Sequence, residues 1–309
     1  MKRSVLFVVT LLFIFSGAEA QTPKVWRKLK QDINLFWASD LDRNGCYDQK
    51  VIAELMSNMA NKIKPECIIS TGDTHHGNGV KGVNDSDWKN NYENIYSKLE
   101  VDWYAILGNH EYRGNSQAVL DYAKVNPRWN IPSRYYTKVF KKGDTSVRFV
   151  MLDTTPMIER FRDSDKYPEA RLQDYKSQLE WLNRALSEAK EDWVIVAGHH
   201  PIHADTKKTK SERTDMRNRV DKILRQHNNV AMYICGHVHN FQHLRDKKSD
   251  IDYVITSSAS LSRDVEITKR TKYCSSETGF SVITASKKRL SVHMIDKNGN
   301  ILHTVERTK

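Results

Sequence analysis

Cysteine is scarce: Cys46, Cys67, Cys235 and Cys274 are the four in 309 residues. That excludes a disulfide-dense small scaffold. Cys67 and Cys235 lie inside apolar runs and read as small buried hydrophobes, whereas Cys46 and Cys274 stand in polar sequence where pairing is open to them. Also missing are a Pro/Gly/Ser-rich linker, an internal repeat and a low-complexity tract. One domain over residues 21–309 is therefore expected. Past residue 20 no apolar run approaches the roughly 20 residues that cross a bilayer, so no membrane anchor is expected. Acidic residues are the smaller charge class, 38 against 49 Lys plus Arg, for a formal net charge of +11. The excess cations are dispersed, without an aromatic–basic platform or a helix-turn-helix pattern, so nucleic acid is not an expected partner. What is plentiful excludes disorder: 9 Phe, 7 Trp and 13 Tyr can build a sizeable core.

The first twenty residues read as a secretory signal peptide. Lys2 and Arg3 precede an apolar run from Val5 to Phe15, and Ala18-Glu19-Ala20 supplies a small-x-small cleavage site. The run is too short to span a membrane. A secreted or periplasmic protein beginning at Gln21 is the expectation.

Short apolar runs alternate with helical patterns. Residues 33–38, 67–70, 103–107, 147–152, 193–197 and 230–235 predict strands. Tyr175, Leu179, Leu182, Leu186 and Ala189 recur on one helical face, and 46–62 and 214–227 are further helix candidates. This alternation argues an α/β fold with parallel strands. After about Asp250 only strands follow, at 253–256, 280–284, 290–295 and 301–305, with Asn298-Gly299 as a hairpin signal. A mixed sheet, or a second sheet packed on the first, is expected.

Five strand ends carry metal-ligand residues. They are Asp40, then Gly72-Asp73 with His76 three residues later, Gly108-Asn109-His110-Glu111, Gly198-His199-His200-Pro201, and Gly236-His237-Val238-His239-Asn240. In open α/β sheets the ligand crevice lies at the carboxyl ends of strands, and a neighbouring glycine lets the backbone approach an ion without a Cβ in the way. One Gly-Asp turn is ordinary turn chemistry. Five polar blocks on one rim have no such account, because clustered unpaired polar groups cost desolvation energy.

In this order the blocks resemble the calcineurin-like metallophosphoesterases, and most closely the purple acid phosphatase branch with tartrate-resistant acid phosphatase type 5. Cys235-Gly236-His237-Val238-His239-Asn240-Phe241-Gln242 is the most specific piece. The resemblance implies two mixed β-sheets packed face to face and flanked by helices, and a phosphomonoesterase with two metal ions sharing a bridging hydroxide. It places Asp40, Asp73, His239 and the residue three after Asp73 on one ion, and Asp73, Asn109, His199 and His237 on the other. His110 becomes the group that donates a hydrogen bond to substrate phosphate or protonates the leaving group, with Asn109 beside it as a further substrate contact.

Departures from the family pattern matter. Purple acid phosphatases have Gly-Asp-x-x-Tyr, and here His76 occupies the tyrosine's place. A neutral imidazole in place of tyrosinate removes one negative charge, which a divalent–divalent pair of Fe, Zn or Mn offsets. No strong visible absorption is then expected. Asp42 is the alternative ligand; His76 is preferred because imidazole suits zinc and iron and the spacing matches. Glu111 replaces the commoner Asp and reads as an orienting group rather than a ligand, His75 as a supporting or solvent-facing group, and His200 as a structural or supporting one. His203 is a candidate phosphate contact, with an ordinary hydrogen-bonded role as the reading weighed against it. Lys207, Lys208, Lys210 and Arg213 form a basic loop for which a solvated surface is the preferred reading and recruitment of anionic substrate the alternative. Expected substrates are phosphorylated small molecules or peptides. A phosphodiesterase or nucleotidase on the same scaffold, and a non-catalytic phosphate-binding relative, are the alternatives.

Overall fold

A computed structural model describes residues 24–41, 43–206 and 210–309. The signal-peptide segment, Asp42, Lys207 and Lys208 lie outside these residues.

The strands are β1 (Ile33–Ala38), β2 (Ile68–Ser70), β3 (Trp103–Ala105), β4 (Trp129–Asn130), β5 (Tyr136–Lys142), β6 (Thr145–Met151) and β7 (Trp193–Ala197), followed by β8 (Val230–Cys235), β9 (Phe241–Arg245), β10 (Asp252–Ile255), β11 (Thr271–Ser275), β12 (Gly279–Ser286), β13 (Arg289–Asp296) and β14 (Ile301–Thr308). They form two seven-stranded sheets, ordered β14-β13-β12-β1-β2-β3-β4 and β11-β9-β10-β8-β7-β6-β5. Each sheet is mixed. The first has the parallel run β1-β2-β3-β4, with β12, β13 and β14 added antiparallel beside β1. The second has the parallel run β6-β7-β8-β10 between antiparallel β5 and β9.

Burial explains why the parallel strands are legible. All residues of β1, β7 and β8 are buried, as expected for strands covered on both faces. The sheets touch through Tyr136, whose hydroxyl donates to the Ala105 carbonyl (2.8 Å), and Trp193, whose indole donates to the Ser286 carbonyl (2.7 Å). Four strands have no counterpart among the expected runs: β4 is two residues long, β5 and β11 are rich in Lys, Thr or Ser, and β9 abuts the His-x-His block.

The helices are α1 (Lys24–Leu29), α2 (Gln49–Ile63), α3 (Ser116–Asp121), α4 (Glu159–Arg162), α5 (Tyr175–Ser187) and α6 (Lys210–Met216), with a wide turn at Arg217–Asp221 after α6. In α2, Ile52, Ala53, Met56, Met59 and Ile63 form the buried stripe. It begins later than expected because residues 43–46 close a turn instead, with the Cys46 N–H donating to the Arg43 carbonyl (2.9 Å). The Asp174 side chain caps α5 by accepting from the N–H groups of Lys176 and Ser177. The helix expected at 214–227 starts at Lys210 instead. All four cysteines are free thiols.

Candidate metal centre

The donor residues sit on turns that leave the strands abruptly. Asp40, Asp73, His237 and His239 all have positive φ, at 53°, 52°, 73° and 59°. For residues with a Cβ this left-handed region costs roughly 1–2 kcal/mol each. Two glycines make the close approach possible. A Cβ on Gly108 would lie 2.2 Å from Asp73 Oδ1, and one on Gly236 would lie 1.8 Å from Ser39 Oγ.

These turns bring ligand atoms from both sheets together. Asp40, His76 and His239 form one group, Asp40, Asp73 and His199 a second, and Asp73, His76 and His110 a third, each within 4.8 Å. His199 Nε2 lies 3.2 Å from Asp73 Oδ2, and His239 Nε2 lies 3.1 Å from Asp40 Oδ1. His76 Nε2 is 3.9 Å from Asp40 and 3.7 Å from Asp73. Donors bound at about 2.0–2.1 Å around one tetrahedral ion stand about 3.3 Å apart, so the spacings suit shared cations.

The hydrogen bonds show which ring nitrogen faces the cluster. His199 Nδ1–H donates to the Thr71 carbonyl (2.8 Å), and His239 Nδ1–H to the Leu261 carbonyl (2.9 Å). His237 donates through Nε2 to the Glu212 carboxylate (2.9 Å), which leaves Nδ1 3.2 Å from His199 Nε2. Glu212 is buried and also paired with Arg160 at 2.7 Å. Meanwhile Asp40 Oδ1, Asn109 Oδ1 and both nitrogens of His76 are buried without hydrogen-bond partners. Buried polar atoms left unpaired in this way are costly unless a ligand meets them.

The carboxylates are fixed from the backbone. The His237 N–H donates to Asp40 Oδ2 and the His110 N–H to Asp73 Oδ1, both at 2.9 Å. Glu111 accepts from the N–H groups of Asp73 (3.0 Å), His75 (3.1 Å) and Gly108 (2.7 Å), so it ties two donor turns together without facing the cavity.

The electrostatics couple the carboxylates of the rim to its imidazoles. Burial pushes the Asp40 and Asp73 carboxyls up, but the facing imidazoles of His239 and His199 outweigh it and hold both below the usual carboxylate range. Burial would lower His199, yet Asp73 and then Asp40 raise it to about 10. A metal cation answers the same demand as that proton. His76 and His200 are driven far down by burial and stay neutral. Burial, and then the charge of Asp73, pushes Glu111 up to about 7.

A cavity of about 920 Å³ opens over this rim, lined among others by Asn109, His110, Arg113, Arg160, Tyr167 and Glu212. His110 donates through Nδ1 to the Gly77 carbonyl (3.1 Å) and holds Nε2 3.9 Å from Asp73. Arg113 donates to the Tyr167 hydroxyl (3.1 Å) and lies over its ring.

His203 does not join this group. It is buried beside Asp221 and Tyr253 and lines a different cavity. His75 is buried against Trp88, and His200 meets the Thr154 hydroxyl (2.8 Å) beneath the rim. Glu212, Arg160, Arg113 and Tyr167 are cavity residues that strand-end reading does not reach. Glu212 and Arg160 are helical, and only the fold carries them to His237.

The calcineurin-like phosphoesterase profile matches residues 36–241. Human tartrate-resistant acid phosphatase type 5 is 30% identical over 256 residues, covering 76% of this chain and 77% of that protein. Purple acid phosphatase 17 of Arabidopsis thaliana is 27% identical over 96% of this chain and 91% of its own. Among solved structures, GAP50, titled the anchor in the inner membrane complex of Plasmodium, superposes with a TM-score of 0.76 at 22% identity, over 89% of this chain and 88% of that one. A dimetal phosphatase from Danio rerio does so at 0.59 and 15% identity, over 90% and 99%. These two likenesses bear on the fold, which is the two-sheet sandwich described above.

Proposed function

The chain belongs to the calcineurin-like phosphoesterase family, and we propose that it is a metal-dependent acid phosphatase that hydrolyses phosphate monoesters at this rim. Asp40, Asp73, His76 and His239 would hold one divalent ion, and Asp73, Asn109, His199 and His237 a second, with Asp73 shared. The observation that carries this reading is the arrangement of three histidines, each bonded through one nitrogen to a carbonyl or carboxylate while the other faces the donor cluster. That is how proteins orient metal-ligating imidazoles. When bound, such an ion pair supplies Lewis-acid charge to the phosphoryl group and activates water.

The protein's own groups do the rest. His110 is anchored through Nδ1 to Gly77, so its Nε2 is free to hold the proton that the leaving oxygen takes up. Arg113, fixed to Tyr167 and to the Gly77 carbonyl (3.1 Å), presents a guanidinium on the same wall. The 920 Å³ of space admits a phosphorylated small molecule or peptide side chain. With His76 in the tyrosine position, the loaded protein should be colourless. Export through residues 1–20 is part of the same reading, checked by N-terminal sequencing of the mature protein.

Elemental analysis paired with phosphate release from an aryl phosphate and from its bis-aryl diester tests the proposal. Two equivalents of Fe, Zn or Mn and preference for the monoester are expected. A protein that binds no metal and releases no phosphate from either compound would overturn it.

A further inference from the structure

The last residues of the block at 235–242 take no part in the metal reading, yet Asn240 and Gln242 are both buried. Two apart at the entrance to β9, they lie on one side of the chain. Asn240 Oδ1 accepts from Gln242 Nε2 (2.7 Å). Gln242 also makes a paired amide contact with the backbone of Asp205, accepting its N–H (2.7 Å) and donating to its carbonyl (3.3 Å). Asn240 Nδ2 then reaches across to the carbonyls of Arg263 (3.3 Å) and Asp264 (3.1 Å). Buried amides cost free energy unless they are bonded, and the bonds of these two converge on neighbouring loops.

The loop that Asn240 holds is a wall of the rim cavity. Ser262, Arg263, Asp264 and Glu266 line the same space as Asn109 and His110. The two ends of this wall are fixed separately. The Leu261 N–H donates to the Ser258 hydroxyl (3.0 Å), and the Leu261 carbonyl receives His239 Nδ1–H (2.9 Å). At the other end the Thr268 hydroxyl donates to the Asp205 carboxylate (2.5 Å). Between them the Arg263 N–H meets the His239 carbonyl (2.8 Å), and the two bonds from Asn240 complete the hold on residues 263 and 264. Loosening the middle of the wall need not move the His239 imidazole, which Leu261 orients.

We infer that Asn240 and Gln242 are positioning residues for substrate binding, which set the wall at 262–264 so that Arg263 meets the phosphate group of the bound ester. The inference rests on the proposed reading of the rim as the substrate site. Arg263 is an exposed cation of this wall, on a backbone held through its N–H by His239 and through its carbonyl by Asn240. A guanidinium on a fixed backbone loses less freedom on binding than one on a free loop, and it can meet phosphate oxygens through two parallel N–H bonds. Asn240 and Gln242 are not among the cavity's lining residues. Their role therefore belongs to affinity for substrate rather than to the chemical step.

The test is a double-mutant cycle on the full-length protein. KM and kcat for an aryl phosphate, and the affinity for inorganic phosphate by calorimetry, are measured in Arg263→Gln, Asn240→Ala and the double variant, with bound metal assayed in each. Both single variants should raise KM and weaken phosphate binding about tenfold, with kcat within about twofold and metal content unchanged. Because Asn240 acts through Arg263, the double variant should be no worse than either single one. If Asn240→Ala lowers the melting temperature, the isosteric Asn240→Asp takes its place in the cycle; it keeps the oxygen that meets Gln242 and removes the donors to the wall. Losses that multiply in the double variant, or unchanged KM and phosphate affinity in Arg263→Gln, overturn the inference, as does a wild-type protein that binds no phosphate. A wild-type protein without turnover, whose phosphate affinity still falls in both single variants, would count against the phosphatase reading alone.

Discussion

The sheet of β1, β2 and β3 supplies the rim with Asp40, Asp73, Asn109 and His76, while the sheet of β7 and β8 supplies His199, His237 and His239. The two halves are held by different means. Asp40 and Asp73 are fixed by N–H groups of the chain itself, and Glu111 locks the turns behind them. The imidazoles are fixed from outside their own turns, by Thr71, Leu261 and the helical Glu212. One half is shaped by folding, and the other is aimed by a layer of partners. Damage to each should therefore read out differently.

The largest effect is expected where the halves meet. Asp73 faces His76, His110 and His199 at once. Asp73→Asn should lower turnover of an aryl phosphate by about a thousandfold or more and reduce bound metal, measured by steady-state kinetics and elemental analysis. Retention of both metals would break the idea of a shared ligand. Next comes His110→Ala, expected to lose on the order of 10²–10⁴ in kcat with metal content intact. Unchanged kcat would remove His110 from proton transfer.

Glu212→Gln sharpens the contrast between the halves. It should weaken metal affinity or activity by about 10–100-fold with little change in melting temperature, read by metal titration and calorimetry. Glu111→Gln should do the reverse. It accepts three buried N–H groups, so its loss should cost on the order of 2–3 kcal/mol of stability by denaturant unfolding. If both variants behaved alike, the two halves would not be held differently.

The smallest effect lies away from the rim. His293, buried on β13 between the Thr284 and Thr304 hydroxyls, is pushed down to about 4 by burial. Its folded value is below the unfolded one, about 6.5. Between these values the unfolded chain binds the extra proton, so stability is retained above pH 6.5 and lost as pH falls towards 4. The slope is at most about 1.4 kcal/mol per pH unit. His293→Gln should flatten that part of the pH–stability curve.

Much of this was legible in the sequence for a physical reason. Strands buried on both faces are uninterrupted apolar runs, and the donors follow directly at their ends, so β1, β7 and β8 and the blocks after them could be read together. Edge strands such as β11, with mixed burial, carry no such signal. Glu212 was not legible because its role depends on where α6 docks. His203 was misplaced for the converse reason. It follows the His199 block closely, but its ring packs on Tyr253 and turns away from the rim.

The left-handed backbone at Asp40, Asp73, His237 and His239 sets robustness against chemistry. Glycine at any of the four would ease the chain and remove a donor in one step. Natural drift towards a sturdier protein and retention of the rim therefore pull in opposite directions at these four codons. A descendant that had given up its reaction would be expected to show the change there first.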